Sequence, residues 1–201
     1  MTTDSITLLS NHHKLILPDY LSHRRMYWTD WGTVAKIERA SMDGTSRTVL
    51  HSTNLVWPNA LTLDYSSQTL YWMDASLDKL ESSSVNGFNR RLLSRNSRIQ
   101  HPFGITIYQS VLYWTDWQSN SILSARVTSP GTVSTVLSGL LLDPMGIHVV
   151  SLDRQPTGMA APAVSFTVAV VKSIYLCFHG ICCGIICIHL ISTCMLVIYT
   201  T

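Results

Sequence analysis

Three near-copies of one tetrad constrain this 201-residue chain more than anything else in it: Tyr27-Trp28-Thr29-Asp30, Tyr71-Trp72-Met73-Asp74 and Tyr113-Trp114-Thr115-Asp116. The copies stand 44 and then 42 residues apart. A period of that length, carried by aromatic and β-branched residues, marks an array of supersecondary units, each too small to bury its own hydrophobic face. A second marker keeps the register: Pro58, Pro102 and Pro144 each open a Pro-x-Ala/Gly-Ile/Leu element, again 44 and 42 residues apart.

The sequence between markers reads as four short antiparallel strands. In the middle copy, Pro58 to Tyr65 alternates apolar and polar residues, as a half-buried strand does. Ser66-Ser67-Gln68 turns the chain into a strand from Thr69 to Asp74. A third strand runs from Lys79 to Val85, Asn86-Gly87 supplies a hairpin turn, and Arg90 to Leu93 completes the unit. The first copy repeats the plan with Ala35–Ala40, an Asp43-Gly44 turn and Arg47–Leu50, and the third with Ser121–Val127, a Ser129-Pro130-Gly131 turn and Val133–Leu137. Four strands in about 43 residues describe one blade of a β-propeller. A blade needs a neighbour on each side, and the ring must close to remove its edges.

These tetrads, together with Trp57-Pro58-Asn59-Ala60, His101-Pro102-Phe103-Gly104 and Ile37-Glu38-Arg39-Ala40-x-Met42-Asp43-Gly44, resemble the class B repeats of the low-density lipoprotein receptor family. The likeness is greatest to the receptor-related proteins and covers about Leu15 to Gly158. It implies an all-β fold: a partial six-bladed propeller of three four-stranded blades, at about 15–57, 58–100 and 101–142, with a closing strand at 143–150 inside a unit spanning 15–158. Residues 1–14 carry no pattern. Arg154-Gln155-Pro156 resembles the family's exit toward a cysteine-rich EGF-like module, but no such cysteines follow.

Composition divides the chain near Gly158–Met159. All twelve acidic residues, thirteen of the fourteen Lys/Arg and all six tryptophans precede that point, and all five cysteines follow it. The net charge of +2 argues against a nucleic-acid footprint. In the hydrophobic tail, 159–201, the run Ser173 to Tyr199 carries no Asp, Glu, Lys or Arg. As a helix it would extend about 40 Å, so it is expected as a transmembrane helix or as an alternative, read-through end. Cys177, Cys182, Cys183, Cys187 and Cys194 lack zinc spacing and suit a lipid-facing helix or acylated thiols. Met1 to Leu17 has no apolar stretch long enough for a secretory signal, so no N-terminal signal is expected in the chain as given.

Asp30, Asp74 and Asp116 are expected to be structural, because an active site is not normally triplicated at even spacing. With Tyr27, Trp28, Tyr71, Trp72, Tyr113 and Trp114 they form the structural motif. Tyr and Trp alternate across a strand, so one of each pair should face the inter-blade core and the other the opposite side. The ligand-binding candidates are Trp31 and Trp117, each just past its tetrad, and Trp57 at the approach to the second blade; the alternative for Trp31 and Trp117 is a cap on a blade interface. Arg90, Arg91, Arg95 and Arg98 form either a solvated edge or a patch for an acidic ligand. His23, His51, His101 and His148 are dispersed, and no metal, cofactor or catalytic constellation is visible.

The resemblance implies a non-enzymatic cell-surface receptor, single-pass with its propeller extracellular. It would bind an extracellular protein ligand through the propeller face, as an endocytic receptor or a Wnt-type signalling co-receptor. The membrane would be contacted through the tail. The alternative is a truncated product whose unclosed propeller has no independent activity and self-associates through open blade faces.

Overall fold

A computed structural model describes residues 13–16, 25–139, 144–150, 166–169 and 195–198. Three four-stranded antiparallel sheets follow one another along the chain. The first is β1 (His13–Ile16), β2 (Arg25–Asp30), β3 (Lys36–Ser41) and β4 (Thr48–His51). The second is β5 (Pro58–Asp64), β6 (Thr69–Asp74), β7 (Lys79–Ser84) and β8 (Arg91–Arg95). The third is β9 (Pro102–Tyr108), β10 (Val111–Asp116), β11 (Ser121–Arg126) and β12 (Ser129–Ser138). Each is an up-and-down meander in chain order, and each tetrad occupies its second strand. First strands lie beside first strands: β5 packs against β1 on one side and β9 on the other.

The tetrad aromatics make the seams between sheets. In one hydrophobic core Tyr27 meets Trp72 with Ile37, Leu61, Leu63 and Leu70. In the next, Tyr71 meets Trp114 with Ile99, Ile105, Ile107 and Leu112. Each seam thus joins the Tyr of one tetrad to the Trp of the following one. In the first two tetrads both Tyr and Trp are buried, on opposite faces of the same strand, which explains why β6 is buried along almost its whole length, whereas Tyr113 of the third is half-buried. Each fully buried aromatic or aliphatic side chain contributes roughly 1.5–3 kcal/mol.

A charged cluster supports the first two sheets at matching positions. The Arg47 guanidinium donates to both Glu38 carboxylate oxygens at 2.9 and 2.8 Å and lies over the Trp28 ring. In the second sheet Arg90 grips Glu81 at 3.0 and 2.8 Å over the Trp72 ring. Lys79, with only 1% of its side chain exposed, adds a 2.8 Å ion pair to Glu81 and donates to the Asn54 carbonyl at 2.6 Å. Burial alone would raise the Glu81 carboxyl pKa, but the hydrogen bonds and charges of Arg90 and Lys79 outweigh it and hold the group below its ordinary range. The third sheet places Ser121, Leu123 and Val133 at these three positions. Its seam is apolar there, and Trp114 Nε1, whose counterpart Trp72 Nε1 donates to Glu81 at 3.2 Å, has no partner among the described residues.

His51 closes the seam between the first two sheets. It stacks on Trp72 with centroids 5.0 Å apart, and its Nε2 lies 3.0 Å from Ser83 Oγ. Burial, then the nearby Arg90 charge, push its pKa down to about 4 against an opposing pull from Glu81.

Gly44 and Gly87 carry φ angles of 82° and 86° in the β3–β4 and β7–β8 turns, where Asp-Gly and Asn-Gly are expected. The Ser129-Pro130-Gly131 turn is not formed. The chain reverses at Val127–Thr128, and β12 runs unbroken from Ser129. Pro130 is tolerated because β12 is an edge strand, where a missing N–H leaves no ladder bond unmade. The first strand begins at His13, two residues before the expected blade start.

Residues 144–148 run as an irregular segment against the third sheet rather than as a seven-residue strand like β5 or β9. Val149–Val150 (β13) then pairs with Phe166–Ala169 (β14), which pairs with Met195–Ile198 (β15). Most of the expected span 173–199, all five cysteines and Arg154-Gln155-Pro156 lie outside the described residues, and the four described residues of that span form a strand. Among the described residues no helix is long and apolar enough to cross a membrane.

Glu81→Ala strands two cations and should cost about 3–5 kcal/mol in urea unfolding, whereas the triple change K79S/E81L/R90V, which copies the third sheet, should recover most of that loss. Stability should also depend on His51. The folded pKa lies below the ordinary 6.5, so the unfolded chain binds the proton first. Stability present above pH 6.5 should fall as the pH drops toward 4, by on the order of 2 kcal/mol, and His51→Asn should flatten that slope.

Candidate functional site

The tetrad aspartates are saturated with backbone donors. Asp74 accepts from Val56 N at 2.8 Å and Trp57 N at 3.2 Å in the loop approaching β5, and from Ser76 N and Leu77 N at 3.0 and 3.1 Å in the β6–β7 turn. Asp116 does the same one unit later. Gln100 N and His101 N reach it at 3.0 and 2.9 Å, and Ser119 donates through N and Oγ at 3.0 Å each. Both carboxylates are fully buried. Asp30 is half-buried, accepts from Gly32 N at 2.8 Å and faces Lys36 Nζ at 3.9 Å. A carboxylate whose lone pairs are filled in this way clamps two loops and is poorly placed to act as a general base.

What the clamp positions is an aromatic ledge at the end of the sheets where β2, β6 and β10 finish. Trp57 and His101 occupy matching places, one residue before Pro58 and Pro102, with rings 6.2 Å apart. His101 stacks on Trp117 at 5.4 Å, and Trp117 stacks on Phe103 at 4.7 Å, nearly parallel. The backbone repeats beneath them: Trp117 N donates to the His101 carbonyl at 3.0 Å as Ala75 N does to the Trp57 carbonyl at 2.9 Å. Because residue 75 is Ala, nothing equivalent to the Trp117 ring covers Trp57.

The three tryptophan candidates therefore differ. Trp57 is 44% exposed and Trp31 is 38% exposed. Trp117 is half-buried, and its Nε1 donates to the Pro144 carbonyl at 3.0 Å, so it also braces the 144–147 segment. Thr115 Oγ1 assists by accepting from Gly104 N at 2.9 Å and donating to the Met145 carbonyl at 2.7 Å. A Cβ on Gly104 would stand 2.6 Å from the Met145 carbonyl oxygen, so only glycine lets the two chains meet. His101 and Phe103 complete the ledge; sequence reading used both as repeat markers, and the signal for more was their place beside Trp57 and Trp117 in the shared register.

The arginine group is not one patch. Arg90 belongs to the Glu81 cluster, and Arg98 donates to the Val133 carbonyl at 2.7 Å and to Thr135 Oγ1, tying β12 to the second sheet's exit. Arg91 and Arg95 are exposed. Among the described residues no group of three or more His, Cys, Asp or Glu could hold a metal ion.

Successive four-stranded meanders with their first strands side by side define a β-propeller-type repeat protein. The low-density lipoprotein receptor repeat class B model matches residues 24–65 and 68–109, so these two segments carry class B repeats. Each matched repeat straddles two sheets, since 24–65 contains β2–β4 of the first and β5 of the second.

The vitellogenin receptor of Solenopsis invicta is 43% identical over 98 residues, which is 49% of this chain and 5% of that receptor. The low-density lipoprotein receptor-related protein 5-like protein of Homo sapiens is 34% identical over 157 residues, 73% of this chain and 61% of that protein. The chain thus spans a small part of the one and less than two thirds of the other. Among solved structures, a nidogen/laminin complex matches with a TM-score of 0.52 at 33% identity, covering 61% of this chain and 46% of that one. A gluconolactonase from Xanthomonas campestris matches with a TM-score of 0.56 at 14% identity over 78% of this chain and 52% of its own, a likeness of fold alone.

Asp116→Ala leaves four donors without their acceptor and should cost about 2–4 kcal/mol of stability. Trp57→Ala should lower the melting temperature by no more than a degree or two, and circular dichroism melts of the two variants would separate clamp from ledge.

Proposed function

We propose that this chain is part of a cell-surface receptor that binds an extracellular protein, without enzymatic chemistry, through the end of the sheets bearing Trp31, Trp57, His101 and Trp117. The observation that carries this reading is the exposure of Trp31 and Trp57 on backbone that the aspartate clamps hold rigid. Large aromatic surface on a preorganised loop is what protein hot spots are made of, and it needs little ordering on binding. The relatives support the receptor assignment: the curated matches are receptors or receptor-related by name, and the nidogen match was solved with laminin. In this reading the propeller lies outside the cell and serves endocytic uptake or signalling co-reception, with the 173–199 run as the membrane contact.

Laminin and vitellogenin, the proteins named with those relatives, are the first probes. Biolayer interferometry of the chain against each should show binding that Trp57→Ala and Trp31→Ala each weaken by about 30-fold, the scale of a 2 kcal/mol hot spot, at unchanged melting temperature. Binding that survives both substitutions undiminished would exclude this end as the docking surface, and failure of both probes to bind would count against a laminin- or vitellogenin-like ligand.

A further inference from the structure

At the opposite end of the first sheet, Arg25 and Arg39 converge on a cleft of about 130 Å³ that Ser41, Ser46 and Thr48 complete. We propose that this cleft binds a tetrahedral oxyanion, the sulfate or phosphate group of a ligand. It lies away from the aromatic ledge and does not depend on the protein-binding reading.

The two guanidinia already share an acceptor. Asn86 Oδ1, at the tip of the neighbouring β7–β8 turn, accepts from Arg25 Nη1 at 3.2 Å and from Arg39 Nη1, which also donates to the Val85 carbonyl at 3.2 Å. Those contacts use one nitrogen of each arginine. Nε and Nη2 of both remain as donors with no protein acceptor among the described residues. Among the described residues no carboxylate pairs with either arginine: the ion pairs there join Lys36 and Arg47 to Glu38, Lys36 to Asp30, and Lys79 and Arg90 to Glu81. Asp43, in the adjacent turn, turns its carboxylate to Thr45 N at 3.0 Å and Thr45 Oγ1 at 2.7 Å instead.

Two half-buried cations held together on a neutral carboxamide repel each other, and an anion between them removes that repulsion. Guanidinium forks match the oxygen spacing of sulfate and phosphate, and the Ser41, Ser46 and Thr48 hydroxyls can donate to the remaining oxygens. The fold does not demand the pair. In strand register the place of Arg25 is taken by Thr69 and Val111 in the other sheets, and that of Arg39 by Ser82 and Ser124. A feature confined to one unit of a repeat is not explained by the repeat.

The test titrates the full chain with inorganic sulfate, and separately with a heparin tetrasaccharide, following the melting temperature against sodium chloride of equal ionic strength. General exclusion of sulfate from protein surface raises every variant alike without saturating. The site predicts an added, saturable rise that Arg25→Gln and Arg39→Gln weaken at least tenfold and that Arg95→Gln, an exposed control, leaves intact. Asn86→Asp supplies a built-in carboxylate, so it should abolish the saturable rise even if an arginine variant folds poorly. Saturation by sulfate alone assigns a free ion, and tighter, Arg25-dependent binding of the tetrasaccharide assigns a sulfated polymer. Loss in Arg95→Gln equal to that in Arg25→Gln, saturation retained in Asn86→Asp, or no saturable response to either probe overturns the proposal.

Discussion

A buried carboxylate at the end of a sheet's second strand is the interaction on which the rest of this architecture rests. Asp74 and Asp116 each collect four donors, from the loop that brings the chain in from the preceding sheet and from the turn that carries it onward. Those N–H groups belong to irregular backbone that no ladder could satisfy, and leaving them buried without a partner would cost a few kcal/mol at each clamp. The loop so fixed decides where Trp57 and His101 stand, so the surface available to a partner is an outcome of the same bonds that align the sheets.

The seam chemistry is less uniform than the clamp. Glu38 with Arg47, and Glu81 with Arg90 and Lys79, anchor the first two sheets by charge, while Leu123 and Val133 do so in the third by apolar packing. Both are workable: a buried ion pair with every hydrogen bond made is about as good as well-packed hydrocarbon of the same shape, and only a half-made one is costly. With Leu123 in the place of Glu81, Trp114 Nε1 has no acceptor among the described residues.

Much of the fold was legible because the tetrads, the Pro-x-Ala/Gly elements and the Asp-Gly and Asn-Gly turns each report a local physical requirement. The second strand of every sheet falls on its tetrad, and the all-β reading with four strands per unit stands in all three sheets. The Ser129-Pro130-Gly131 turn failed because turn-forming residues are equally at home on an edge strand, and edge position is a tertiary fact. The site was legible only in part. Trp31 and Trp117 read alike in the sequence, as loop binding candidates or as caps on a blade interface, because the stack that half-buries Trp117 depends on His101 and Phe103 arriving from another strand. The Glu81–Lys79–Arg90 cluster was hidden for a similar reason: Lys79 and Glu81 lie on β7, Arg90 lies just before β8, and only the fold brings them together.

Gly104 carries a mechanical consequence. With no side chain between β9 and the 144–147 segment, their separation is set by main-chain atoms touching main-chain atoms, and Thr115 pins both. A joint made through long side chains can yield by rotamer changes, whereas this one has no compliant part. The third sheet and the segment after it therefore tilt as one piece, and flexing along the row of sheets falls to the seams between sheets, where side chains make the contact.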